Sequence, residues 1–130
     1  MPYHTLAVDD DPIFIMLMER MLGKTDDLSD FSKFENGLDA LNHLKQEYMS
    51  HDKFVVFLDI NMPIMDGWEF LDELESFAEA DKVSVFLCTS SVDDSDVNRG
   101  KQYKFVRDFL SKPIYLNKLR EVEKSLNDNF

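Results

Sequence analysis

Apolar positions along the chain fall into two alternating kinds of stretch. Short apolar runs occupy residues 3–8 (YHTLAV), 53–59 (KFVVFLD), 82–89 (KVSVFLCT) and 105–111 (FVRDFLS), with a weaker one at 28–34 (LSDFSKF). Each is too short for a helix of ordinary length and predicts a strand. The runs at 53–59 and 82–89 are nearly continuous rather than alternating, which predicts strands covered on both faces. Between the runs lie stretches of helical period. Asp11 and Pro12 make an N-cap and first-turn pair, Phe14, Leu17, Met18, Met21 and Leu22 follow at helical spacing, and Gly23 ends the segment. Leu38, Leu41 and Leu44 mark the core face of a second helix, and Phe70, Leu74, Phe77 and Ala78 that of a third. Residues 93–105 form a weaker helix with an acidic start, which suits the helix dipole. Leu116, Leu119, Val122 and Leu126 define the last helix.

The order is (βα) repeated five times. Strict alternation predicts an α/β fold, a doubly wound parallel sheet with helices on both faces, and a site at the carboxyl ends of the strands. Asp9, Asp10 and Asp11 follow the first run, Asp59, Ile60 and Asn61 the third, Thr89, Ser90 and Ser91 the fourth, and Ser111, Lys112 and Pro113 the fifth. Taken singly, these residues read as turns and caps. Gathered on one edge, they are a set that turn chemistry does not predict. Converging carboxylates need a hard cation, and oxygen ligands favour Mg²⁺. An aspartate carboxylate can also act as a nucleophile and form an aspartyl phosphate. A metal, an ammonium and a hydroxyl could then each hold one phosphoryl oxygen.

Composition narrows the partners. The chain has 130 residues and a formal charge of -12. That field repels nucleic acid and anionic membranes, so neither is expected as a partner. One cysteine, Cys88, excludes an internal disulfide and fits a reducing, cytoplasmic setting. There is no signal-peptide pattern and no apolar stretch of spanning length. The expectation is a single domain over residues 1–130 with no output module.

The pieces VDDDP, FLDINMPIMDGWEF, LCTSS and FLSKP, in this order and spacing, resemble the receiver domain of two-component response regulators, specifically the single-domain kind of chemotaxis regulators. The resemblance implies a flavodoxin-like sheet with strand order 2-1-3-4-5. It implies that Asp59 is the phosphoacceptor, served by a histidine kinase or histidine phosphotransfer protein, with a downstream protein target the sequence does not name. It implies Mg²⁺ as cofactor, with Mn²⁺ as a substitute, held by Asp10, Asp59 and the backbone carbonyl of Asn61, and by Asp9 through water. Thr89 would be the switch hydroxyl, Lys112 would pair with Asp59 and then the phosphoryl group, and Phe109 would be the switching aromatic. Pro113 matches a peptide often found cis. Asn61 and Ser91 occupy positions that tune dephosphorylation. The chain departs from the family at QYKFVRDF, where GA often precedes the fifth strand. Such a protein is not an enzyme, beyond its own phosphorylation and dephosphorylation.

Two other functions compete: a dehalogenase-type phosphatase, which would want an acid where Asn61 stands, and a non-phosphorylated binding module of the same fold. A flavin carrier is disfavoured, because aspartates after the first strand would repel its phosphate. Of the other notable residues, Cys88 reads as packing, Trp68 as a partly exposed packing residue, and His4, His43 and His51 share no metal-ligand spacing. One stretch exceeds what a core requires. IFIMLM is apolar on all sides, so Ile13, Ile15 and Met16 should point outward beside the acidic site. With Pro113 they are the expected docking surface for the phosphodonor partner.

Overall fold

A computed structural model of the chain describes residues 2–90 and 93–130. Ser91 therefore lies outside the described residues. The strands are β1 (His4–Val8), β2 (Phe31–Phe34), β3 (Phe54–Asp59), β4 (Val83–Thr89) and β5 (Val106–Ser111). The helices are α1 (Pro12–Leu22), α2 (Gly37–Glu47), α3 (Gly67–Leu74), α4 (Asp94–Gly100) and α5 (Leu116–Asn129). All strand pairs are parallel, in the order β2-β1-β3-β4-β5. This is the expected doubly wound, flavodoxin-like arrangement.

Alternate side chains of the central strands feed two separate cores, which is why their sequences are continuously apolar. On β3, Phe54, Val56 and Leu58 join the core beneath α2 and α3, together with Val83, Val85 and Leu87 of β4. Val55 and Phe57 face the other way, where Phe86 and Cys88 of β4 meet α1 and α5. Cys88 is fully buried, as its reading as a packing residue required.

Several expectations need correction. On α1 the buried line is Phe14, Met18 and Leu22, and Leu17 is 43% exposed. A narrow i, i+4, i+8 stripe suffices where the helix meets the sheet, and Leu17 falls beside it. Likewise on α2 the inward set is Gly37, Ala40, Leu41 and Leu44, while Leu38 points out. Trp68 is buried at 7% exposure, not partly exposed: Tyr103 stacks on it with centroids 6.0 Å apart and Arg99 lies 4.5 Å over its ring. Helix α3 ends at Leu74, yet Ala78 beyond it is still buried in the core. β2 begins at Phe31, but Leu28 before it is fully buried. Gly23 caps α1 in a right-handed conformation (φ -62°), so its conformational freedom is not used.

The stacked pair Phe57–Phe86, with centroids 5.6 Å apart, lies at the centre of the α1/α5 core. Phe57→Ala is expected to cost about 3–5 kcal/mol of stability, read as a lowered midpoint in urea denaturation; a loss under 1 kcal/mol would contradict this packing.

Candidate functional site

The carboxyl ends of β1, β3, β4 and β5 deliver the polar residues to one edge. Asp11 caps α1, accepting from the Ile13 amide at 3.0 Å. It thereby stands apart from Asp9 and Asp10, whose carboxylates converge with that of Asp59: one oxygen from each lies within 4.8 Å of the others. Asp9 and Asp59 are buried and Asp10 is exposed. Asp9 accepts from the Asp11 amide at 2.9 Å through one oxygen. Its other oxygen accepts from the Lys112 ammonium at 2.6 Å.

Lys112 was expected to pair with Asp59. It does so at 3.7 Å, but its tighter partner is Asp9. The ammonium also lies 4.5 Å over the Phe14 ring. Its backbone amide donates to the Thr89 carbonyl at 2.8 Å, which ties the β5 end to the β4 end. The peptide between Lys112 and Pro113 is cis, as the family resemblance implied.

Burial acts in opposite directions on the two charges. It pushes the Asp59 carboxyl up, the Asp9 charge adds to this, Lys112 offsets part of it, and the result is about 6. For Lys112, burial alone would lower the ammonium's pKa, but the hydrogen bond and charge of Asp9, with Asp59, outweigh it and the net direction is up. The Cys88 thiol beneath the site is pushed far up by burial and is inert.

Close backbone packing fixes the loop after Asp59. Gly67 donates to the Ile60 carbonyl at 2.8 Å, and a Cβ there would come within 2.6 Å of the Asp59 carbonyl oxygen. Asn61 lies exposed in this loop. Thr89, 7% exposed, ends β4 beside the β3 terminus. Phe109 is half-buried, and its ring rests on α4: a Cβ on Gly100 would lie 2.5 Å from the ring. Nothing in the sequence pattern marked Gly100 as the residue that makes room for it.

Ile13 and Met16 are exposed at 64% and 44%, as expected, but Ile15, also expected to point outward, is half-buried and packs against the α1/α5 core, because it sits one residue from the buried Phe14 line. Ile15 and Met16 line a cleft of about 530 Å³ that opens directly beside Asp9 and Asp10. Pro113 is exposed on the same edge. At the opposite edge, the histidines that share no sequence spacing meet in space, where His4 stacks on His51 with centroids 4.2 Å apart and contacts His43.

The response regulator receiver domain family matches residues 5–124. The chain belongs to this family. It is 32% identical to Protein PilH of Pseudomonas aeruginosa over 109 residues, covering 84% of each chain. It is 31% identical over 124 residues to the two-component response regulator ORR26 of Oryza sativa, covering 93% of this chain but only 20% of the rice protein. The chain thus spans a fifth of that relative's length. Among solved structures, a two-component response regulator from Cytophaga hutchinsonii superposes with a TM-score of 0.82 at 26% identity, covering 98% of both chains. Receiver domains are signalling phosphoacceptors rather than classical enzymes, and this membership leaves the phosphatase alternative without support. Receiver domains bind Mg²⁺ at the acidic pocket, and the all-oxygen donor set here suits a hard cation. No described helix is long and apolar enough to cross a membrane.

A raised carboxyl pKa means that the folded chain binds a proton the unfolded chain does not, between the ordinary 3.8 and about 6. Stability therefore falls as pH rises through that window. Without divalent cations, Asp59→Asn is expected to stabilise the fold at pH 7 by about 1–2 kcal/mol after allowance for partial solvent access, and to lose that advantage below about pH 4. Thermal melts of both chains across this range check it; a difference independent of pH would contradict it.

Proposed function

We propose that this receiver accepts a phosphoryl group on Asp59 from the phosphohistidine of a histidine kinase or phosphotransfer protein, and thereby switches a protein-binding surface. The observation that carries the reading is the Lys112 ammonium set between Asp9 at 2.6 Å and Asp59 at 3.7 Å, beside a third carboxylate, Asp10. A carboxylate oxygen of Asp59 attacks phosphorus, the P–N bond breaks, and the imidazole nitrogen leaves with the electron pair. Water later attacks phosphorus, and the acyl oxygen leaves as the restored carboxylate. Charge stabilisation matters more here than covalent help.

The residues that would hold Mg²⁺ are Asp10, Asp59 and the Asn61 backbone carbonyl, with Asp9 acting through water. When bound, the ion supplies neutralising charge to the phosphoryl oxygens. Lys112, released in part from Asp59, holds one phosphoryl oxygen. Thr89 turns inward to another. Phe109, seated on Gly100, couples that movement to the face formed by α4, β5 and α5. Output runs through protein contact, in a reducing cytoplasm consistent with the buried free thiol of Cys88. Incubation with acetyl phosphate and Mg²⁺ is expected to add one phosphoryl mass to the intact chain. The adduct should vanish in Asp59→Asn; no adduct on the unaltered chain would sink the proposal.

The donor docks on Ile13, Ile15, Met16 and Pro113. The exposed apolar α1 face borders the cleft that leads to the carboxylates, which supports this placement. The double change Ile15→Glu and Met16→Glu is expected to slow transfer from the phosphodonor protein by about tenfold or more, while acetyl phosphate still labels Asp59. Unchanged protein-to-protein transfer in a folded variant would refute the docking assignment.

A further inference from the structure

The amino-terminal edge of the sheet, remote from the aspartates, gathers a second set of metal-ligating side chains. We propose that His4, Asp30 and His51 form a binding site for a borderline divalent metal ion of the Zn²⁺ class. Three separate segments supply them: the first residue of β1, the residue before β2, and the loop between α2 and β3. One ligand atom from each lies within 4.8 Å of the others.

The separations are close to what the ion requires, and the His51 ring, now stacked on His4 at an interplanar angle of 7°, must swing out of the stack to aim a nitrogen at the same point. His4 Nδ1 and Asp30 Oδ2 are 3.3 Å apart. Metal–ligand bonds of about 2.0–2.1 Å in a tetrahedron put neighbouring ligands about 3.3 Å apart. That edge is already formed. Closing the remaining ligand separations requires a contraction of at most about 1.5 Å from the 4.8 Å limit. Asp30, whose side chain is 66% exposed, and the half-buried His51 ring have room to turn.

The buried ligand is held in place. The His4 backbone amide donates to the Lys53 carbonyl at 3.0 Å, and the Thr5 amide donates to the Asp30 carbonyl at 2.9 Å. The His4 ring meets the edge of Phe54 with centroids 5.7 Å apart. Its Nε2 lies 2.9 Å from His43 Nε2. With a metal at Nδ1, the proton of neutral His4 sits on Nε2 and is donated to His43, the outer-shell partner that a ligating histidine ordinarily has. His43 is thus a positioning residue.

The set selects its ion. Two imidazoles and one carboxylate suit Zn²⁺ and are poor ligands for Mg²⁺, so this site and the aspartate cluster take different metals. His4, Asp30 and His51 line an open cleft of about 290 Å³, which leaves room for water in the fourth position. Lys53 also lines it, but its ammonium donates to the Asp81 carbonyl at 2.7 Å and lies 4.5 Å over the Phe130 ring. Its charge is engaged elsewhere.

The test is calorimetric titration of ZnCl₂ into the full, untagged chain with Mg²⁺ in excess. One Zn²⁺ per chain is expected, with a metal-induced shift of the His4 and His51 ring nitrogens in NMR spectra. His51→Ala and Asp30→Ala, both at accessible positions, should each weaken binding about tenfold or more. Asp10→Asn should leave it unchanged. Wild-type zinc affinity in either of the first two variants, or loss of binding in Asp10→Asn, would overturn the site.

Discussion

The contact between the Lys112 ammonium and the Asp9 carboxylate, at 2.6 Å, is what the functional edge depends on. Asp9 is almost wholly buried, and two further carboxylates stand beside it. A buried charge without a partner is costly, and like charges at this spacing raise one another's pKa. Lys112 and the Asp11 amide occupy the two oxygens of Asp9, while burial and the neighbouring Asp9 charge raise the Asp59 carboxyl to about 6. The same ammonium reaches Asp59 more loosely, at 3.7 Å.

That contact spans 103 residues of sequence, and only the doubly wound sheet can make it. β1 and β5 are not neighbours; β3 and β4 lie between them. The rigid central strands fix the span, because each is packed on both faces by a separate core. The approach of Gly67 to the Asp59 carbonyl then holds the loop after β3 against α3. The cores therefore do more than stabilise the domain: they set the distances at the edge. The opposite edge uses the same frame, since β1 carries His4 at its start and runs directly into Asp9 at its end.

Much of this was legible in the chain. Continuous apolar runs mark β3 and β4 because burial on both faces removes the usual alternation. Asp11–Pro12 marks the start of α1 because capping is a local interaction. The identity of the acidic residues was legible because each stands at the end of a strand. Less legible were quantities set by neighbours far away in sequence. Leu17 and Leu38 have helical spacing compatible with burial, but the width of the contact stripe depends on how each helix seats on the sheet. Trp68 looked half-exposed because its cover, Tyr103 and Arg99, comes from beyond β4. The histidine cluster was invisible because His4, His43 and His51 have no common spacing and meet only through strand register and a loop.

By itself, then, the sequence determined the alternation of strands and helices, the two-faced burial of the central strands, and the acidic, hydroxyl and amine residues of the carboxyl edge. These follow from periodicity and local capping, which act over a few residues. Tertiary structure alone decided that Lys112 pairs most closely with Asp9 rather than Asp59, that Phe109 rests on Gly100, and that histidines from separate segments converge. Those outcomes depend on distances between segments that only the packed sheet and its two cores define.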